Sequence, residues 1–342
     1  MSIVKGLGKD TRDFWAQKIL RVHNPEPSCF LRDYVSLFTP TVITGLIDNW
    51  PASRWSLNSL KEKIIGPVSV NLTPDGHGDC VKYIDDQRYF VYPLEEVLNV
   101  DIFTDMLLNR QSGDAVPYLS GQDDNLRKFF PELMNELDDS IGLANEIFGS
   151  NAHLEAVNLW IGDDRAVSSV HRDFFENFYA VLDGEKTFIL LPPTDIAFLP
   201  LENFPTLRYH REIESEDDKQ SLKRVKANSL TLSSQSCPSD SIPWIDFDPY
   251  SIFCNDSSAD GHNQSHVARP PFPSTILARD DNAIESKRHA ENLTRYRGAS
   301  PLYCTVRAGE VLYIPAMWYH RVSQTRVTVA VNFWYDMRFD FR

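Results

Sequence analysis

Positive charge is scarce in this chain: 34 Lys and Arg stand against 48 Asp and Glu, a formal net charge of −14. So acidic a body does not suit phosphate backbones, so direct nucleic-acid binding is not expected. It suits a basic protein or peptide partner, although solubility alone explains the same charge. Cysteine is sparse too. Cys29, Cys80, Cys237, Cys254 and Cys304 are scattered and form no C-x-x-C pair, which speaks against a structural zinc site. Their odd number and the lack of an apolar h-region in MSIVKGLGKDTRDFW point to a reducing compartment, cytosol or nucleus or both. No apolar run approaches the ~18 residues of a membrane helix, so no membrane association is expected. Internal repeats are missing. The H-R-D triplet at 171–173 has neither the Gly-rich loop nor the D-F-G of a kinase, and no Ser/His/Asp or Cys/His elbow supports a peptidase.

What the chain has is length and apolar bulk. Its 342 residues, 42% hydrophobic and 12% aromatic, suffice for one large domain or two small ones with a sizeable core. The first half reads as mixed α/β. Apolar spacing predicts short helices over 9–22, 28–36 (with Ser28 as N-cap), 56–64 and 124–148, the last broken at Pro131. Strands are expected over 40–46 and 68–76, the second closed by a Pro-Asp-Gly turn. From 153 onward the pattern turns to short strands: LEAVNLWIG, VSSVHRD, FYAVLDG and KTFILLPP, then PLYCTVRAG, EVLYIPA, YHRVSQ and VTVAVNFWYD. Turns at Asp183-Gly184 and Ala308-Gly309 fit an antiparallel sandwich or barrel. The stretch 211–300 is polar and lacks periodicity, and reads as an insertion between strands, with IPWIDFDP apolar enough to pack down. The expected division is an α/β region over 1–150 packed on a β domain over 151–342.

The chemistry is carried by three residues. His171 and Asp173 form an H-x-D pair on a strand, where residues i and i+2 share a face. His320 lies in a C-terminal strand that a jelly roll brings alongside. Two imidazoles and a carboxylate can fill one face of an octahedral Fe(II), leaving three positions for a co-substrate and O2. Lys186, on the strand-like segment that follows, is a cation able to anchor a dicarboxylate. An H-x-D pair by itself is common in chains that bind no metal; the distal His and the Lys make it informative. The other histidines have no partner at ligand spacing.

LWIGDDRAVSSVHRDFFENFYAVLDGEKTFILLPPTD and CTVRAGEVLYIPAMWYHRV resemble the core of the Jumonji-C, cupin-like 2-oxoglutarate oxygenases. VNLTPDGHGD, PYLSGQ, IPWIDFDP and VAVNFWYDMRFD extend the resemblance to lysyl hydroxylases of the Jumonji domain-containing protein 7 type. The resemblance implies a double-stranded β-helix (jelly roll) core with flanking helices. It also implies Fe(II) held by His171, Asp173 and His320, and 2-oxoglutarate as co-substrate. Lys186 would then meet the distal carboxylate, with Tyr118 and Ser168 donating hydroxyls to it. Ser168 is a departure, because Thr is frequent there. Asn177 would support the metal-binding end, Asn332 would stand behind the ligands, and Tyr179 and Trp334 would line the pocket. By the same resemblance the substrate is a lysine side chain in a protein, in that type a translation-associated GTPase. A cationic substrate calls for acidic groups at the mouth, for which Asp163, Asp164 and Glu176 are candidates.

Two other readings stand beside this one: demethylation of Nε-methyl-lysine in histones by the same iron chemistry, and a non-catalytic Jumonji-fold scaffold. The spacing of His171 and His320, 149 positions, is long for the family and leaves the substrate open. The apolar ending NFWYDMRFDF is expected to pack on the core or on a second protomer, which keeps a homodimer among the alternatives.

Overall fold

The computed structural model describes residues 6, 18–149, 153–211, 224–249, 298, 299 and 301–336. The chain enters through β1 (Leu20–His23), α1 (Pro27–Phe30) and β2 (Thr41–Thr44). The helix expected over 9–22 is not present at its C-terminal end, where β1 pairs in parallel with β2; positions 9–17 lie outside the described residues. The helix expected over 28–36 makes one turn and relaxes into a π-type turn, Leu31–Val35. It starts at Pro27, whose fixed φ suits the first helical position, and not from a Ser28 cap. α2 (Leu57–Lys63) does carry a side-chain cap: Ser56 and Ser59 bond reciprocally to each other's backbone N–H.

Next come β3 (Pro67–Thr73), β4 (His77–Gly78), β5 (Cys80–Ile84), β6 (Gln87–Tyr92), β7 (Leu94–Asn99), α3 (Val100–Leu108) and β8 (Val116–Tyr118). The expected helical stretch 124–148 is α4 (Asn125–Phe129), a 3-10 turn over Pro131–Glu136 and α5 (Gly142–Phe148). The jelly-roll strands follow as β9 (Leu154–Gly162), β10 (Val167–Arg172), β11 (Phe175–Asp183) and β12 (Glu185–Leu191). After β13 (Leu201–Arg211), β14 (Leu230–Ser233) and β15 (Ser241–Ile245), they resume as β16 (Leu302–Arg307), β17 (Glu310–Ile314), β18 (Tyr319–Gln324) and β19 (Thr328–Asp336).

Two sheets face each other. One runs β1-β2-β17-β11-β19-β9 and the other β16-β12-β18-β10-β4. This is the double-stranded β-helix. Its larger sheet is buried on both faces, and the alternation in β11 shows how. Phe178, Ala180 and Leu182 point outward onto a layer that includes Phe103, Leu126 and Ile141. Tyr179 and Val181 point inward, against Phe188, Leu190 and Val322 of the opposite sheet. A strand buried on both sides reads as a nearly continuous apolar run, as FYAVL does.

The polar stretch contributes strands of its own. Residues 224–249 supply β14 and β15, which pair with β13, and β13 pairs in parallel with β6. Arg224 and Lys226 hold the start of this segment by ion pairs to buried Asp114. Positions 251–297 and the chain end, 337–342, lie outside the described residues, as does Cys254. Cys29, Cys80, Cys237 and Cys304 are free thiols. Among the described residues no helix is long and apolar enough to cross a membrane.

Candidate active site

The two histidines meet because their strands do. β10 and β18 are antiparallel, with His171 directly opposite His320. The ladder between them is interrupted after Ser168. Asp173 lies one position past the end of β10, and its backbone carbonyl accepts the N–H of Met317 at 2.8 Å. One ligand atom each from His171, Asp173 and His320 lies within 4.8 Å of the others. The imidazoles approach to 4.2 Å between ring centroids, and Nε2 of His320 stands 3.6 Å from Oδ2 of Asp173.

Both rings are held in one tautomer. His171 Nδ1 faces the Ser169 carbonyl at 2.7 Å and His320 Nδ1 faces the Trp318 carbonyl at 3.1 Å. A carbonyl only accepts, so each Nδ1 carries the hydrogen and each Nε2 keeps its lone pair. Burial and the neighbouring His171 push His320 down to about 4, so it is neutral at pH 7. Two imidazoles that each turn Nε2 away from a backbone carbonyl, and one carboxylate, suit a divalent iron centre with positions left open.

Lys186 on β12 is wholly buried. Its ammonium donates to Tyr118 Oη at 3.0 Å and to Gln324 Oε1 at 2.6 Å, both neutral, and no carboxylate pairs with it among the described residues. Burial pushes its pKa down to about 7. A buried ammonium without a carboxylate partner is costly, and its pKa falls accordingly. The same ammonium stands 5.1 Å from the Tyr118 ring centroid and 5.8 Å from that of Tyr179. Gly162 makes this cluster possible, because a Cβ there would sit 2.6 Å from the Tyr118 ring and 2.7 Å from Gln324 Nε2.

The three ligand residues, Tyr118, Ser168, Asn177, Tyr179, Asn332 and Trp334 line one cavity, with Lys186 behind Tyr118. That cavity shares Tyr118, Gln122, Trp160, Ser168 and His171 with a second lobe, lined further by Asp79, Ser169 and Trp244. Asn332 is a buried hub. Its Oδ1 accepts from Trp160 Nε1 at 2.9 Å and from Asn158 Nδ2 at 3.2 Å, and its Nδ2 donates to Asn177 at 3.3 Å. Asn332→Ala strands two buried donors and an acceptor. It is expected to lower stability by about 2–4 kcal/mol in urea denaturation, at roughly 1–3 kcal/mol per unsatisfied group with partial relaxation.

The three acidic candidates each have a partner of their own in the structure. Asp163 is fully buried, ion-paired to Arg165 at 2.6 Å, and Asp164 pairs with Arg110. Glu176 accepts from the Tyr313 hydroxyl at 2.7 Å, and burial raises its pKa. None of the three lines either lobe. Gln324 and Trp160 escaped sequence reading. A signal for Gln324 existed, because His320, Val322 and Gln324 alternate on one face of β18.

A histidine pair and a carboxylate opening into a β-helix, beside a buried lysine, fit the 2-oxoglutarate-dependent dioxygenases. The chain belongs to the cupin-like domain family, whose model matches residues 27–341. Among its relatives, "Lysine-specific demethylase JMJ32" of Arabidopsis thaliana is 36% identical over 93% of this chain and 81% of that protein. "Bifunctional peptidase and (3S)-lysyl hydroxylase JMJD7" of Homo sapiens is 33% identical over 93% of this chain and 84% of its own length. "JmjC domain-containing protein E" of Dictyostelium discoideum is 31% identical over 98% of this chain and 89% of its own. The chain is thus an enzyme of the JmjC oxygenase kind.

Proposed function

We infer that the protein hydroxylates the side chain of a lysine in another protein, using Fe(II), O2 and 2-oxoglutarate. The observation that carries this reading is the joint geometry: three ligand atoms within 4.8 Å on a cavity wall, and a buried lysine without a counter-ion behind Tyr118. His171, Asp173 and His320 would hold the metal; Lys186, Tyr118 and Ser168 would hold the distal carboxylate of 2-oxoglutarate by charge-assisted contacts. Bound Fe(II), with O2 and 2-oxoglutarate, supplies the oxidising power to break an unactivated C–H bond, with succinate and CO2 as co-products. The protein's own part is positional. Ser169 and Trp318 carbonyls fix the imidazole tautomers, and buried Asn332 and Trp160 brace the wall. A lysine substrate is supported by the relatives named for lysine chemistry. By resemblance, a translation-associated GTPase is the protein that would carry it.

A second reading has its own support, the relative named as a demethylase. It differs in the carbon presented to the metal: a methyl on Nε, once hydroxylated, leaves as formaldehyde. The test is anaerobic reconstitution with Fe(II) and 2-oxoglutarate, then O2 and mass spectrometry on matched lysine and methyl-lysine peptides. Gain of one oxygen on unmodified lysine is the expected result. Loss of a methyl group in its place makes the enzyme a demethylase. Failure to bind Fe(II) or to consume 2-oxoglutarate would leave a scaffold.

A further inference from the structure

The second lobe holds an acid that no part of the metal or co-substrate site uses. Asp79 lies between β4 and β5 in the left-handed region, at φ 49°. Asp tolerates that conformation better than most residues, because its short polar side chain can bond locally. Here the local bonding is done by the backbone. The Asp79 carbonyl accepts the Ser169 hydroxyl at 2.5 Å, and that hydroxyl accepts Trp244 Nε1 at 2.9 Å. Trp244 is itself fixed edge-on against Phe90, 4.6 Å between ring centroids. Three lobe-lining residues from three separate chain segments are therefore tied together.

The Asp79 carboxylate is left over. It accepts no hydrogen bond and joins no ion pair among the described residues, and it lines the lobe with His171 and Trp244. Arg208 and His171 act on it only through space. Burial raises its pKa to about 6. A carboxyl on a cavity wall without a hydrogen-bonded or ion-paired partner among the described residues is the counterpart of Lys186 at the other end of the site.

We propose that Asp79 is the specificity-determining residue that receives the protonated amine of the substrate side chain, with Trp244 as the wall beside it. The proposal rests on the lysine reading above. It gives that reading the acidic group that Asp163, Asp164 and Glu176 do not provide. Ser169 makes the arrangement coherent: its carbonyl orients the imidazole of His171 while its hydroxyl holds Asp79 and Trp244. The ligand-bearing strand and the amine seat thus share one residue, which fixes the distance between the reacting carbon and the charge that positions it.

The test uses the full chain loaded with Mn(II) and 2-oxoglutarate, and two probes, N-acetyl-lysine amide and N-acetyl-norleucine amide. Mn(II)-enhanced proton relaxation of each probe reports its binding. The wild type is expected to prefer the lysine probe by about tenfold or more, as a charge-assisted contact implies. Asp79→Asn keeps the shape and removes the charge. It should bring the preference to within about twofold by weakening the lysine probe alone. A preference retained in Asp79→Asn overturns the assignment of Asp79 and leaves the lysine reading standing. Equal weakening of both probes also overturns it, because Asp79 would then only shape the lobe. A wild type with no preference sinks the lysine reading itself.

Discussion

Asp173→Ala and His171→Ala are each expected to remove metal binding and turnover together while the fold persists. The three ligand residues come from β10, its exit and β18, and no other described cluster of His, Cys, Asp or Glu meets the same spacing. Loss of one donor therefore has no substitute nearby. Supporting contacts around a metal already change affinity or activity by about 10- to 100-fold, so a missing ligand should exceed the upper figure. The cost to the fold is small by comparison. Asp173 holds its neighbour through its backbone carbonyl, which alanine keeps. His171 loses one hydrogen bond, to Ser169, worth about 1 kcal/mol or a few degrees of melting temperature. Equilibrium Fe(II) or Mn(II) binding, 2-oxoglutarate consumption and thermal unfolding measure the three quantities separately. Wild-type metal affinity in either variant would remove that residue from the site.

Lys186→Met is expected to change two properties in opposite directions. The ammonium is replaced by an apolar chain of similar length, so the ligand-free protein loses an unpaired buried cation and should gain stability. The co-substrate loses its counter-ion, and its apparent affinity should fall by about 10- to 100-fold, the range of a hydrogen bond to a charged group. The pH dependence has a defined sign. The folded ligand-free protein holds Lys186 near 7 against an ordinary 10.5, so the unfolded chain binds more protons between those values. Stability conferred by this site therefore rises as pH climbs from about 7 toward 10.5, and the charged form weighs against the fold below about 7. Binding of 2-oxoglutarate with its distal carboxylate beside Lys186, as proposed, would return the proton. Calorimetry at pH 8–9 in buffers of different ionisation enthalpy should show proton uptake that Lys186→Met abolishes. An unchanged 2-oxoglutarate affinity in the variant would take Lys186 out of the pocket.

The ligand set was legible because strands have a period of two and because H-x-D and a distal His are rare in combination. The same periodicity placed the eight jelly-roll strands, since Asp183-Gly184 and Ala308-Gly309 mark their turns at glycines with φ of +84° and +87°. What failed was anything decided by distant partners. The stretch 9–22 looked helical by apolar spacing, but its end belongs to the strand Leu20–His23, because Thr41–Thr44 offers it an edge. Residues 224–249, apart from IPWIDFDP, looked like loop, since strands with ladders of four and five pairs, fed by ion pairs to Asp114, carry little local signature. Asp163, Asp164 and Glu176 were chosen for charge and proximity along the chain. Their partners Arg165, Arg110 and Tyr313 could be known only in three dimensions. Asp79 was passed over for the converse reason: a lone acid in a turn is unremarkable until the cavity around it is seen.

The pairing of His171 with His320 also has a consequence for how the protein is made. The two imidazoles close a loop of nearly 150 residues, and in a chain growing on the ribosome the second emerges long after the first. Strand β10 must therefore wait, its central neighbour absent, while the intervening segments are synthesised. Contacts of such separation form late, because loop closure must be met before they contribute. A metal ion that needs both imidazoles cannot be captured by an early intermediate. Iron loading should accordingly be a post-synthetic event, and the moment of tight metal capture a kinetic reporter for the last step of folding.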